Sequence, residues 1–409
     1  MGSSIVLMPQ YMRAFKCIGA ECEDTCCIGW RVDLDEDTFK KYKRVHHPEL
    51  TPLFEKYLGR NRSKAGWGNY GKIKMKQGRM CPFLTDERLC CIQLLLGEEY
   101  LSNICYSYPR IYNEVDGRVE KSATMSCPEA ARLAILNPNI MEFDMVEERL
   151  PREGLIKTRI NSKAKSKDPS LSYFWDLREF SIDVIQNRNY CLEDRLLLLG
   201  MFCKKVKELK ENGKASEIPS AIEYFRKFME DSEIKELLEE VPVLATLQMR
   251  LLKELADQRF PFVVTNNRYL QCFAECLHGL EFTQDADLER VGEKYSAACA
   301  GYYKPFMRNH EYMLENYLVN HIFKNLFPFD RNDVFDSYIM LVVHYALIKL
   351  ILIGMSSYHK GLTTELVLKL IQSFAKTVEH NSAYLQKVLD LLHANNYDSL
   401  AWMSILIRN

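Results

Sequence analysis

The sequence predicts a mainly α fold: a cysteine-rich N-terminal region that holds a metal or cluster and carries a small β-hairpin, then a large all-α helical domain. Three observations predict it. Nine of the fourteen cysteines lie in the first 127 residues. From about residue 170 onward, apolar residues recur at three- and four-residue spacing, as in Tyr338, Leu341, Val342, Tyr345 and Ile348, the stripe of a helix with one buried face. Strand-like runs are scarce there, Phe260–Val264 being the tempting one. The 409 residues suffice for two or three domains and divide into a cysteine-rich part (1–137), a linker (138–170) and a helical domain (171–409).

The elements follow in order. DLDEDTFKKYKRV (33–45) reads as a helix with acidic residues in its first turn and basic ones in its last, matching the macrodipole. Residues 63–80, rich in Gly and Lys, read as loop plus a short strand. RIYNEVDGRVEKSA (110–123) sets an Asp116-Gly117 turn between two β-capable runs, a hairpin signal. SCPEAARLAIL (126–136) opens a helix with Ser126 as N-cap, Pro128 in the first turn and Glu129 at N3. Asn137-Pro138-Asn139 marks a boundary. Lys157, Arg159, Lys163, Lys165 and Lys167 then crowd a stretch ending at Asp168-Pro169-Ser170, read as solvated linker. Helices are expected at Leu171–Gln186, Leu192–Leu209, Ser220–Met229, Glu233–Leu255, Leu270–Leu280, Asp285–Met307, Glu311–Leu326, Val334–Ile353, Thr363–Glu379 and Ala383–Ala394. No fixed-period repeat suggests a solenoid. Ile339–Met355 is apolar but shorter than the roughly 20 residues a bilayer needs, and it contains His344 and Lys349. It reads as a buried core helix, not a membrane span.

Composition narrows the function classes. Hydrophobic content of 47% and charged content of 27% are those of a soluble globular protein. A net charge of −1 argues against general nucleic-acid binding, which needs a basic surface. The start, MGSSIVLMPQYMRAF, lacks the features of a secretory signal, so a cytoplasmic location with reduced thiols is expected. The sequence contains no dinucleotide fingerprint, P-loop, nucleophile elbow or H-E-x-x-H; His310-Glu311 begins the last, but Leu314 replaces its second His.

The thiols are grouped. Cys17, Cys22, Cys26 and Cys27 read C-x4-C-x3-C-C; Cys81, Cys90, Cys91, Cys105 and Cys127 follow. Adjacent Cys26 and Cys27 cannot both point inward from a regular element, so their segment reads as a loop wrapping a metal. The spacing is neither that of a zinc ribbon nor that of a bacterial ferredoxin, and it lacks the C-x3-C-x2-C of radical enzymes. It therefore selects a soft-metal site without choosing between zinc and an iron–sulfur cluster. A non-catalytic zinc- or iron-chelating protein and an electron-transfer or redox-sensing protein stand as alternatives to an enzyme. Cys91 reads as a bystander. Cys272 and Cys276, with His278 nearby, read as core, as do Cys191, Cys203 and Cys299.

The runs FKCIGAECEDTCCIGWRVDLDEDT, CPFLTDERLC, LGEEYLSNICYSYPR and SCPEAARL, with ENYLVNHIFKNLFPF near the C-terminus, resemble the flagellin lysine-N-methylase family. The likeness spans both halves of the chain. It implies methyl transfer from S-adenosylmethionine to lysines of flagellin, with an iron–sulfur cluster of the four-iron type. The ligand candidates it implies are Cys17, Cys22, Cys26, Cys27, Cys81, Cys90, Cys105 and Cys127, more than one cluster needs. Deprotonating a lysine amine of pKa about 10.4 at pH 7 costs roughly 4–5 kcal/mol, so such an enzyme needs desolvation or a base in reach. Glu311 and Glu315, on one helix face, and Tyr317 are the candidate catalytic groups, against a solvated acidic face as the plainer reading. Tyr108 and Arg110 could anchor the cofactor's carboxylate or stabilise a turn. Glu129 could bond Arg132 or cap its helix.

Overall fold

The computed structural model describes residues 3–62, 66–149, 152, 154–258, 264, 266–283 and 285–409. The candidate strand at 260–264 lies, except for Val264, outside the described residues.

The N-terminal third forms two sheets. The larger is five-stranded, in the order β7-β1-β6-β5-β8, from β1 (Ser3–Pro9), β5 (Arg110–Val115), β6 (Arg118–Ala123), β7 (Phe143–Arg149) and β8 (Ile156–Ile160). The smaller, β2-β4-β3, joins β2 (Val32–Leu34), β3 (Leu58–Arg60) and β4 (Gly71–Ile73). The expected hairpin is β5–β6, with Arg110 opposite Ala123 and Val115 opposite Arg118. Its turn residues Asp116 and Gly117 have φ of 50° and 80°, the left-handed conformations that a tight hairpin turn requires. The hairpin is part of a sheet larger than expected. β1 lies parallel to β6 and antiparallel to β7, and β8 lies parallel to β5. The stretch 138–170, read as a linker, thus supplies two strands. Their side chains are mostly half-buried or exposed, so the polar composition that suggested a linker belongs to sheet edges.

The remainder is helical; among the described residues no strand follows Ile160. The labelled helices are α1 (Pro128–Ile135), α2 (Phe174–Ile185), α3 (Leu192–Glu211), α4 (Asn267–Gly279), α5 (Tyr312–Asn325), α6 (Val334–His359) and α7 (Thr364–Phe374). Three boundaries differ from expectation. The helix expected over Glu233–Leu255 breaks into Glu233–Glu239 and Ala245–Asp257. Pro242 explains the break, since it lacks an N–H and restricts the residue before it. Residues 299–303 and 375–379 each form a π turn within what read as continuous helices. Cys127, not Ser126, is the N-cap of α1; the Ser126 hydroxyl bonds elsewhere. A further helix, Leu400–Ile407, closes the chain.

The five-stranded sheet and the helical body share one hydrophobic core running from Val6 to Ile407, whereas the residues around the smaller sheet form their own core about Leu34, Tyr42, Phe54 and Phe83. The division at 137 does not follow these cores. Buried polar ties fasten the sheet to α5. Tyr11 Oη donates to Asn320 Oδ1 at 2.7 Å, Asn320 Nδ2 donates to Ala123 O at 3.2 Å, and Asn113 Nδ2 donates to Lys324 O at 2.9 Å. α6 is the one helix among the described residues long and apolar enough to cross a membrane, and its most apolar stretch is wholly buried. Its Lys349 is held by Glu193 and by Ile407 O. α4 crosses α6 at Gly354, where a Cβ would collide with Cys276 Sγ; Cys276 is a packing residue.

Arg178 on α2 and Glu120 on β6 form a fully buried two-bond pair, with contacts of 2.8 and 2.6 Å and side-chain exposures of 3% and 1%. Breaking such a pair strands a buried charge. Glu120→Ala is expected to lower unfolding free energy by about 3–5 kcal/mol, measured by urea denaturation, and replacing both partners by apolar residues should recover most of that loss.

Candidate functional site

The cysteine loop docks between the smaller sheet and the helical body. Cys81 N donates to Cys27 O at 2.8 Å and Gly29 N to Arg79 O at 3.2 Å, with an isolated bridge pairing Ile28 and Met80. These bonds bring the two cysteine groups together across 54 residues of sequence. Cys90 caps the short helix Cys91–Leu96, and Cys105 lies in the helix Asn103–Ser107 capped by Ser102.

All eight candidate thiols share one locus. Cys26 adjoins Cys27, Cys27 adjoins Cys81, and Cys90 and Cys105 lie near enough to Cys26 for their ionisations to oppose one another. Cys22 links Cys26 to Cys127, which also feels Cys17. Burial and the neighbouring thiols push Cys105 up to about 12; burial pushes Cys127 to about 12 as well. Cys26 rises well above the usual thiol range, through its bond with Cys27 and then burial. Cys26 and Cys105 remain solvent-accessible although closely surrounded by protein. Among the described residues no three His, Cys, Asp or Glu side chains already stand at metal-binding geometry. Thiolates are the donors that a soft metal or an iron–sulfur cluster would take, once these thiols had lost their protons. The Cys91 thiol donates to Phe83 O at 2.8 Å. Cys203, Cys272, Cys276 and Cys299 are buried away from this locus, while Cys191 is exposed and bonds Asp194.

Against the loop lies a cavity of about 440 Å³, lined among others by Asp24, Trp30, Asn266, Arg268, Lys376 and His380. Asp24 fastens the loop to the helical body. It accepts from Lys376 Nζ at 2.7 Å and from Gln372 Nε2 at 2.8 Å. Trp30 packs edge-on against Tyr108 and His380, with ring centroids 4.6 and 5.8 Å apart.

His380 also lines a second cavity of about 540 Å³, with Lys157, His321, Lys324, Asp330, Arg331 and Glu379. Its Nε2 lies 2.9 Å from Ser126 Oγ, which in turn lies 3.2 Å from Tyr108 Oη. Burial lowers the His380 pKa to about 4, so the imidazole is neutral at pH 7. The π turn of residues 375–379 ends just before His380 and places Lys376 at the first cavity and Glu379 at the second. Such turns recur at functional sites. Glu379 accepts from Tyr317 Oη at 2.7 Å and pairs with Lys324.

The residues singled out from sequence therefore separate. Tyr317 reaches the second cavity's wall through Glu379. Glu311 and Glu315 do share a face, but arginines hold them. Glu315, 0% exposed, takes Arg188 and Arg195, and Glu311 takes Arg195 and the backbone N–H of Leu192. Neither lines either cavity. Tyr108 touches Trp30 and Ser126 beside the first cavity. Arg110 stacks over Phe15 at 5.3 Å. Glu129 pairs with Arg132, which also takes Glu23 at 2.8 Å. Asp24, Trp30, Lys376, Glu379 and His380 were not singled out, and Lys157 was read as part of a solvated linker. Asp24 and Trp30 stood inside the cysteine runs, yet nothing in the spacing around Glu379 and His380 announced a π turn.

Residues 178–406 match a family model described as FliB lysine N-methylase C-terminal domain. The lysine-N-methylases of Salmonella choleraesuis (strain SC-B67) and Salmonella typhimurium (strain LT2) are each 24% identical over 392 residues, 92% of both chains. The flagellar biosynthetic protein FliU of Salmonella muenchen is 32% identical over 140 residues, 33% of this chain and 80% of that protein. No solved structure matches significantly.

Burial, the largest single effect, would raise the Glu379 carboxyl, but the Lys324 ammonium together with the neighbouring His321 and His344 holds it well below the usual carboxylate range. A depressed carboxyl adds stability above its unfolded pKa of about 4.3 and loses it as pH falls through the folded value. Glu379→Gln should cost about 3 kcal/mol from pH 5 to 7. Its urea midpoint should converge on the wild type's in strong acid.

Proposed function

The chain belongs to the FliB lysine N-methylase family and is a protein-lysine N-methyltransferase; we propose that it methylates lysine side chains of flagellin using S-adenosylmethionine, beside an iron–sulfur cluster held by the N-terminal thiols. The observation that carries the finer reading is the arrangement of two cavities that share His380, one of them set against the thiol locus. Their volumes suit small-molecule sites, which run from about 300 to 1,000 Å³.

S-adenosylmethionine supplies an electrophilic methyl group on a sulfonium centre. The first cavity offers groups suited to it. Trp30 presents an aromatic ring that attracts a cation. Arg268 and Arg79 can take a carboxylate, and Asn266, Asn267 and Asn381 the edge of a purine. Lys376 neutralises Asp24 and keeps the loop seated. His380, which lines both cavities, stands between donor and acceptor.

A cluster bound at the thiols would cross-link residues 17–27 to 81–127 and relieve the thiols' mutual repulsion. Cys26, Cys27, Cys81, Cys90 and Cys105 are the inner candidates; Cys17, Cys22 and Cys127 lie on the side facing α1. Zinc is the alternative occupant with the same donor chemistry.

Three measurements test this reading. Flagellin incubated with the protein and S-adenosylmethionine should gain about 14 Da per methyl on lysine peptides, and no gain would reject it. Trp30→Ala should raise the KM for S-adenosylmethionine about tenfold, the loss of about 1.4 kcal/mol from a desolvated aromatic contact. Single Ser replacements of Cys26, Cys27, Cys81 and Cys105, assayed for iron and sulfide after anaerobic purification, should lose the cluster in at least three cases. Colourless protein with stoichiometric zinc would replace iron–sulfur by zinc.

A further inference from the structure

The second cavity has an unusual charge balance. Facing it are the cations Lys157 from β8, Lys324 from α5 and Arg331 from the segment between α5 and α6. Facing it too are the carboxyls Glu379, from the π turn, and Asp330. The titratable imidazoles are His321 on α5, His344 on α6 and His380. Burial lowers all three imidazoles, His321 well below its ordinary value, so they add no charge at pH 7. Lys324 and Glu379 neutralise one another. Asp330 stands beside Arg331, whose Nε lies 3.9 Å from its Oδ2, so this pair is balanced as well. With those two pairs balanced, Lys157 leaves the chamber with a surplus of one positive charge.

The chamber also holds unmade hydrogen bonds. Among the described residues His321 Nδ1, His344 Nε2, Asp330 Oδ1 and Arg331 Nε are buried without a hydrogen-bond partner. Buried polar groups are ordinarily paired, so a cluster of unpaired ones around a cavity marks a place built for a polar occupant.

We infer that this chamber receives the lysine side chain to be methylated, and that Lys157 holds its amine in the neutral, nucleophilic form. The inference rests on the methyltransferase reading and deepens it. An ammonium entering here loses water and meets a net positive field, and both effects favour the free amine. Lys157 itself displays the effect: closely surrounding protein, then Lys324, pushes its own pKa down. The amine's lone pair then forms the new N–C bond as the sulfonium C–S bond breaks. The thioether departs with the C–S electron pair, and the methylated nitrogen, now an ammonium, releases one of its own protons to water. Lys157 acts through its field and is a positioning residue, not a catalytic one.

Lys157 suits a test, because it keeps solvent-accessible surface on an edge strand. The pH dependence of kcat on flagellin, with both substrates saturating, is compared for the wild type, Lys157→Gln and Lys157→Arg. Losing one nearby cation should move the acid limb of the Lys157→Gln profile up by about one unit, a loss of about tenfold at pH 7. Lys157→Arg should keep the wild-type limb. Equilibrium dialysis should show unchanged S-adenosylmethionine affinity in both variants. An unmoved limb in Lys157→Gln overturns the inference while leaving the methyltransferase reading in place. So does a loss of S-adenosylmethionine affinity in Lys157→Gln, which would assign the chamber to the donor. A wild type that methylates no lysine overturns both.

Discussion

The carboxylate of Asp24 ties the cysteine-rich loop to the helical body, and the site exists because of that tie. Lys376 and Gln372 reach it from the C-terminal segment that follows α6, more than three hundred residues along the chain. Gln372 also donates to Ser126 O, so one amide holds both the loop and the start of α1. Without this clamp the thiols of 17–27 would have no fixed relation to Trp30, His380 or the first cavity. A charge-assisted contact largely shielded from water is worth more than an exposed ion pair, whose median contribution is about 0–1 kcal/mol.

From that clamp the chemistry spreads in two directions. Toward the N-terminus lie thiols whose ionisation is opposed by burial and by one another, a condition that a bound metal reverses. Toward the C-terminus a single π turn presents Lys376 to one cavity and Glu379 to the other, with His380 at their common wall. A regular helix would have closed this turn with the usual bonds. The wider turn occurs where α7 must both pack its apolar face, through Leu370, Ile371 and Phe374, and carry charged groups into enclosed space.

Glu311 and Glu315 show how a correct local reading can miss a role. Their four-residue spacing does put them on one face, as helical geometry requires. What meets that face is Arg188 and Arg195, contributed by segments more than a hundred residues away. Glu315, gripped on both oxygens by two guanidinium groups, and Glu311, tied to Arg195 and the Leu192 N–H, hold the fold together away from both cavities. Ser126 is the converse case. It resembled a helix cap, but its hydroxyl serves Tyr108, Thr124 and His380 at the wall of the site.

The sequence by itself determined the helical body, the β5–β6 hairpin, the buried character of α6 and the grouping of thiols, because periodicity, turn chemistry and residue type act over a few neighbours. The motifs near the cysteines also carried the family. Only the tertiary structure decided that the polar stretch after residue 138 forms sheet edges, that one core unites sheet and helices, and that Asp24, Glu379 and His380 stand at two adjoining cavities. Those outcomes depend on contacts between residues far apart in the chain. Such contacts arise from the packing of whole elements, and no local pattern of charge or hydrophobicity encodes them.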